Sequence, residues 1–138
     1  KKDFEKTVKH LIEFWECVGN QFDKWKAVRN GIAPASELRR DYINTHVVIL
    51  QAIGISGKTL MEKFPSNWKV KMKSLKDIDW LKTNPIWQNR ILLNGRVIKS
   101  TISITLASNV IKKAYDIKLT PEEQLLENNL KKGLKNVG

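Results

Sequence analysis

The sequence predicts a mainly α protein: a compact multi-helix domain with at most one short β-hairpin. Three observations carry that expectation. Apolar residues recur at helical spacing in segment after segment. Helix-starting residues, among them Asp3, Pro34 with Ser36, Asn84-Pro85 and Thr120-Pro121, stand where those segments begin. Asn94-Gly95, flanked by apolar residues on both sides, is the best hairpin signal, because Asn-Gly suits the left-handed angles of a two-residue loop.

From Asp3 to Val18 the residues Phe4, Val8, Leu11, Ile12, Trp15 and Val18 form one apolar face, which predicts an amphipathic helix capped by Asp3 and stopped at Gly19. A shorter pattern, Phe22, Trp25 and Val28, ends at Asn30-Gly31. Pro34 and Ser36 then introduce the longest helix expected, from about Ala35 to Ile53, with Gly54 and Gly57 at its end. A segment through Leu60, Met61 and Phe64 stops at Pro65. Next, Trp68, Met72 and Leu75 repeat at i, i+4 and i+7 after a Ser66-Asn67 cap, favouring a helix; the alternation of Trp68, Val70 and Met72 also suits a strand. Asn84-Pro85 begins a short turn carrying Trp87, because proline at the first helical position loses no hydrogen bond. Ile91 to Leu93 and Val97-Ile98 flank the hairpin loop. A helix from about Ile102 to Tyr115 follows. The last starts at a capping box in which Thr120 and Glu123 satisfy each other's backbone donors.

The length and a 41% hydrophobic content suit one domain over residues 1–138, with a core that needs no disulfide or metal. A lone Cys17, expected opposite the apolar face of the first helix, excludes an internal disulfide and multi-cysteine zinc sites, and fits a reducing cytoplasm. The longest apolar stretch, Val47 to Leu50, is far shorter than the roughly 20 residues of a membrane span, so no membrane partner is expected. The start is charged and helix-like with no apolar h-region, so no signal peptide is expected, and it opens on Lys1 rather than Met, which suggests a piece of a longer protein.

Charge is distributed by region. Lys58 to Lys113 holds twelve Lys/Arg against three acids, supplying +9 of a total +11, while the flanks are close to neutral. A cationic block containing Trp68, Trp80 and Trp87 belongs to folded structure, and such a block suits a polyanion-binding surface. If Ser66 to Lys76 is helical, burying Trp68 turns Lys69, Lys73 and Lys76 outward together. Lys82, Arg90, Arg96, Lys99, Lys112 and Lys113 extend the candidate phosphate-binding surface. The alternative for a charge run is a solvated face that keeps the protein soluble. Trp15 and Trp68 are expected in the core rather than stacked on bases.

Arg39, Tyr42 and His46 fall within the apolar arc of the long predicted helix. A structural polar network with Asp79 or Asp77 is the expected outcome, since a buried polar group needs a partner. Catalytic residues, metals and cofactors are not expected. His10 and His46 are not spaced as a metal pair, Asp77 and Asp79 lack a Gly-rich loop, and there is no P-loop or nucleophile motif. The chain is therefore read as a non-enzyme. A nuclease-like use of Asp77, Asp79 and His46 is the disfavoured option.

One ordered series of residues is similar to a known family. Phe14-Trp15-Glu16, Leu38-Arg39-Arg40 with Tyr42-Ile43 and His46, and Leu50-Gln51-Ala52-Ile53-Gly54 resemble the C-terminal part of DndB, from the bacterial DNA phosphorothioation system. Trp68, Leu75, Ile78-Asp79-Trp80, Asn84, Trp87, Arg90, Gly95-Arg96, Asn109, Ile111-Lys112, Leu119-Thr120 and Glu122-Glu123 continue the series to about Glu127. The resemblance implies a cytoplasmic, DNA-binding transcription regulator that restrains its own DNA sulfur modification genes, with double-stranded promoter DNA as partner. The family's Asp-Gly-Gln-His-Arg motif is absent, as expected if it belongs to an N-terminal region outside this chain. The other function considered is an interaction module, in which the near-neutral first and last helices pair subunits or bind other proteins of the system while DNA is contacted elsewhere.

Overall fold

The computed structural model describes residues 2–137. It is mainly α, as expected. The helices are α1 (Lys2–Asn20), α2 (Asp23–Arg29), α3 (Ala35–Asp41), α4 (Val47–Lys63), α5 (Trp68–Lys71), α6 (Thr101–Ala114) and α7 (Pro121–Val137). Between α5 and α6 lie two 3₁₀ turns, Met72–Asp77 and Pro85–Trp87, and the antiparallel hairpin of β1 (Leu92–Leu93) and β2 (Arg96–Val97). Leu93 pairs with Arg96, so Asn94-Gly95 alone forms the loop, at φ +52° and +79°. Both residues are left-handed, as a type I′ turn requires.

Local signals set three further starts, whereas no side chain caps α2, α3, α4 or α5. Asn84 Oδ1 accepts from the Ile86 N–H at the start of the Trp87 turn. Thr120 and Glu123 make both bonds of the expected capping box, and Ser100 with Ser103 forms a second one at the start of α6. Each satisfies donors that the first helical turn leaves open.

The long helix expected over Ala35–Ile53 is two helices. After α3 the backbone turns extended at Tyr42, where it bridges Leu81. The Ile43 N–H donates to the Trp80 carbonyl, and the Lys82 N–H to the Asp41 carbonyl, each at 2.9 Å. These distant partners hold Tyr42–His46 out of the helix. α4 then runs straight through Gly54 and Gly57, which were expected to end it. At Gly57 a close approach requires glycine: a Cβ there would stand 2.2 Å from Phe14 Cζ. The Phe14 ring, on α1, lies flush against the α4 backbone.

The core gathers around α4 and α6, which pack most extensively against each other. Ile49, Ile53, Leu60, Met72, Leu75, Trp87, Ile91, Ile111 and Tyr115 are wholly buried. Trp80 stacks on Trp87 at 5.6 Å between ring centres, and Phe22 meets Trp80 edge-on at 5.4 Å. Burying an indole requires a partner for its N–H; Trp80 Nε1 donates to the Leu75 carbonyl and Trp87 Nε1 to that of Asp79.

α1 docks differently from its sequence pattern. Phe14 and Val18 are its buried large apolar side chains, Cys17 packs against the core, and Phe4, Val8, Leu11, Ile12 and Trp15 stay exposed. The expectations of a core Trp15 and an outward Cys17 are thereby corrected. The close seat of Phe14 on Gly57 rotates α1 so that the Phe14–Val18 line, rather than the wider apolar stripe, meets α4.

Candidate nucleic-acid interface

The first part of the cationic series is presented as its spacing suggests. Trp68 packs near Phe14 and His10, with ring centres 6.2 and 6.0 Å away, and Met72 and Leu75 have no exposure. Pinned by these three, α5 and the 3₁₀ turn that continues it leave Lys69, Lys73 and Lys76 exposed. Lys69 lies 3.6 Å from Glu13 and over the Trp68 ring. Lys69 and Lys73 also stand near the Cys17 thiol, where burial pushes its pKa up and a hydrogen bond from Gln21 and the two ammonium charges oppose that rise. Lys76 lines a cleft of about 340 Å³ with Lys24, Tyr42, Asp79 and Trp80.

Further along, Lys82 is half-buried, while Arg96 on β2 and Lys99 just before α6 are exposed. Among the described residues no carboxylate lies within 4.0 Å of Lys73, Lys76, Lys82, Arg96 or Lys99.

Arg90, Lys112 and Lys113 face another partner. The Arg90 side chain is 8% exposed; it donates twice to the Glu127 carboxylate and once to the Leu106 carbonyl. Lys112, also buried, donates to Glu123, and Lys113 lies 3.8 Å from Glu127. Arg90 and Lys112 were expected on the exterior, and this is a correction: α7 brings two acids, one helical turn apart, onto α6 and the segment before the hairpin. Burial by itself would raise the pKa of Glu127. Hydrogen bonds from Arg90 and Asn109, with the charges of Arg90 and Lys113, outweigh it and hold the carboxyl below its ordinary value. At Glu123 burial is likewise outweighed, chiefly by the hydrogen bonds from Lys112 and Thr120. An α7 carboxylate already occupies Arg90 and Lys112, and one stands beside the still exposed Lys113.

The set Arg39, Tyr42, His46 and Asp79 does not form one side-chain network. His46 Nε2 bonds the Arg39 carbonyl at 3.2 Å, whereas the Arg39 side chain is exposed. Burial, together with the nearby charges of Lys82 and Arg39, lowers the His46 pKa against the opposing pull of that backbone bond. Asp79 caps its own turn by accepting from the Leu81 N–H, and its carbonyl receives Asn84 Nδ2 and Trp87 Nε1. Tyr42 packs against the core from the extended segment, with Lys24 Nζ over its ring. The break after Asp41 dissolves the common helical face on which the network was expected.

Glu123, Glu127 and Asn109 were absent from the sequence-based candidates. Two acids spaced four apart on a helix following a basic block were a visible signal for them. Among the described residues no helix is long and apolar enough to cross a membrane, and no three His, Cys, Asp or Glu side chains gather as metal ligands. A family model described as DndB, DNA-sulfur modification-associated, matches residues 1–118. No curated protein and no solved structure matches the chain.

Proposed function

The chain belongs to the DndB family of DNA-sulfur modification-associated proteins, and from that premise we propose that it is a DNA-contacting, non-catalytic helical part of a regulator of DNA sulfur modification genes. The observation that carries this reading is the exposed series Lys73, Lys76, Arg96 and Lys99 with half-buried Lys82, none within ion-pairing distance of a described carboxylate. Cations left without acids attract phosphates, and release of the counterions they displace makes such binding salt-dependent. Arg90 and Lys112, buried against α7 carboxylates, drop out of the contact set, whereas Lys113 and Lys69, each beside one carboxylate but more than half exposed, stay at its margin. Contacts of this kind position a protein on duplex DNA without specifying sequence.

The test is fluorescence anisotropy on the promoter of the modification genes and on a scrambled duplex, across a range of salt, with the wild-type chain and a Lys69→Glu/Lys73→Glu/Lys76→Glu variant. The expected result is binding of both duplexes that weakens steeply with salt and is lost in the variant while its circular dichroism is unchanged. Equal binding by variant and wild type removes the reading.

A further inference from the structure

We propose that the uncovered apolar face of α1 is a self-association surface, on which a second copy of this chain lays its own α1 antiparallel to the first. Phe4 is 73% exposed, Leu11 51%, Ile12 52%, and Val8 and Trp15 38% each. Every residue from Asp3 to Ile12 is exposed: the His10 ring meets Trp68, while the apolar side chains Phe4, Val8, Leu11 and Ile12 keep between 38% and 73% of their surface open. Short helices are marginal alone, and an amphipathic one owes its stability to whatever covers its apolar stripe.

The spacing identifies the kind of cover. Phe4, Val8, Leu11, Trp15 and Val18 follow one another at intervals of 4, 3, 4 and 3. That is the repeat of a seam between two helices that wind about each other, narrower than the face a helix shows to a globular core. Val18 already sits in the monomer's own core, which leaves Phe4 to Trp15 as the available seam.

The occupant follows from register and charge. An antiparallel copy centred between Val8 and Leu11 sets Phe4 against the partner's Trp15, and Val8 against the partner's Leu11. The same patch then serves both chains, as a two-fold interface requires. Trp15 lines two depressions: one of about 610 Å³ with Trp25, Leu50 and Gly54, and one of about 430 Å³ with Val8 and Ile12. In this register the partner's Phe4, the most exposed side chain of the seam, comes opposite Trp15. Charge favours a like copy here more than elsewhere. α1 carries three lysines and four acids in a chain of net charge +11, so two copies meet at this helix without the repulsion the cationic segment imposes.

Five partly covered side chains offer less than the about 800 Å² that each partner gives to a standard interface. The dimer is accordingly weak, and its population rises with concentration. Sedimentation equilibrium of the 138-residue chain from low to high micromolar concentration reads this directly. The expected result is a monomer–dimer equilibrium that persists when salt is raised, with Leu11→Glu monomeric throughout and unchanged in circular dichroism. The register is read by cysteine pairing in a Cys17→Ser background: Phe4→Cys and Trp15→Cys chains crosslink when mixed, and neither crosslinks alone. A wild-type chain that stays monomeric over the whole range overturns the proposal and leaves the face to a different protein. Undiminished dimerisation of Leu11→Glu overturns it too, and self-crosslinking of Phe4→Cys alone overturns the antiparallel arrangement.

Discussion

The Arg90 guanidinium holds the Glu127 carboxylate through two hydrogen bonds, of 2.6 and 2.9 Å, with both side chains almost wholly out of solvent. Asn109 Nδ2 adds a third bond to the carboxylate, and the Leu106 carbonyl takes another Arg90 donor. The last helix is fastened to the body through this pair. A residue from the cationic block thus acts as a fastener for the fold.

Glu127→Ala leaves the buried Arg90 charge without its counterion, a loss of about 3–5 kcal/mol for pairs of this kind. The urea midpoint should fall accordingly. A double variant, Arg90→Met/Glu127→Leu, should recover much of the loss, since it leaves no isolated charge. Additive losses in the double variant would mean that the two side chains do not act as a pair.

Stability should fall in acid because of the α7 carboxylates. Glu123 and Glu127 both have folded-state pKa values below their ordinary 4.5, so their contribution is complete above that pH and is lost as pH falls through the lower folded values. Urea midpoints should therefore decline below about pH 5 on account of these carboxylates, after an earlier loss as pH falls below the ordinary histidine value of 6.5, because the folded-state pKa of His46 is lowered. In Glu123→Gln the decline should be shallower, and an unchanged decline would assign it to other groups.

Gly57 and Gly54 stand one turn apart on α4 and should respond oppositely to alanine. At Gly57 the new methyl group collides with Phe14, which is boxed in by Trp15 and Trp68, so Gly57→Ala should cost about 1–3 kcal/mol. At Gly54 the nearest atom is Trp15 Cζ2 at 3.9 Å, ordinary contact, and Gly54→Ala should gain up to about 1 kcal/mol from helix propensity. Thermal unfolding of the two variants makes the comparison.

DNA affinity measured against salt should separate free cations from occupied ones. Each phosphate contact contributes about 0.9 to the slope of log affinity on log salt. Lys73→Ala/Lys76→Ala should flatten the slope by nearly two such steps, while Lys112→Ala should leave it unchanged and lower the melting temperature. A flattened slope in Lys112→Ala would return that residue to the interface.

Elements whose causes lie within a few residues were legible in the sequence. The Asn94-Gly95 loop, the Asn84-Pro85 turn and the Thr120/Glu123 box each satisfy their own backbone groups locally, and each forms where its residues stand. The division of the predicted long helix was not legible, because the groups that capture its backbone, the Trp80 carbonyl and the Lys82 N–H, lie about forty residues downstream. The outward placement of Lys69, Lys73 and Lys76 followed from the burial of Trp68, Met72 and Leu75.

By itself the sequence determined the helical class, the local turns and caps, the regional excess of positive charge and the apolar seam of α1, since all of these depend on residue type and short spacing. Tertiary structure alone decided which cations remain open, because a charge is freed or neutralised by whatever carboxylate the fold carries to it, and Glu127 reaches Arg90 across 37 positions. It also decided which face of α1 is buried: the space that a missing side chain leaves at Gly57 fixes how Phe14 docks, and no periodicity within α1 encodes that space.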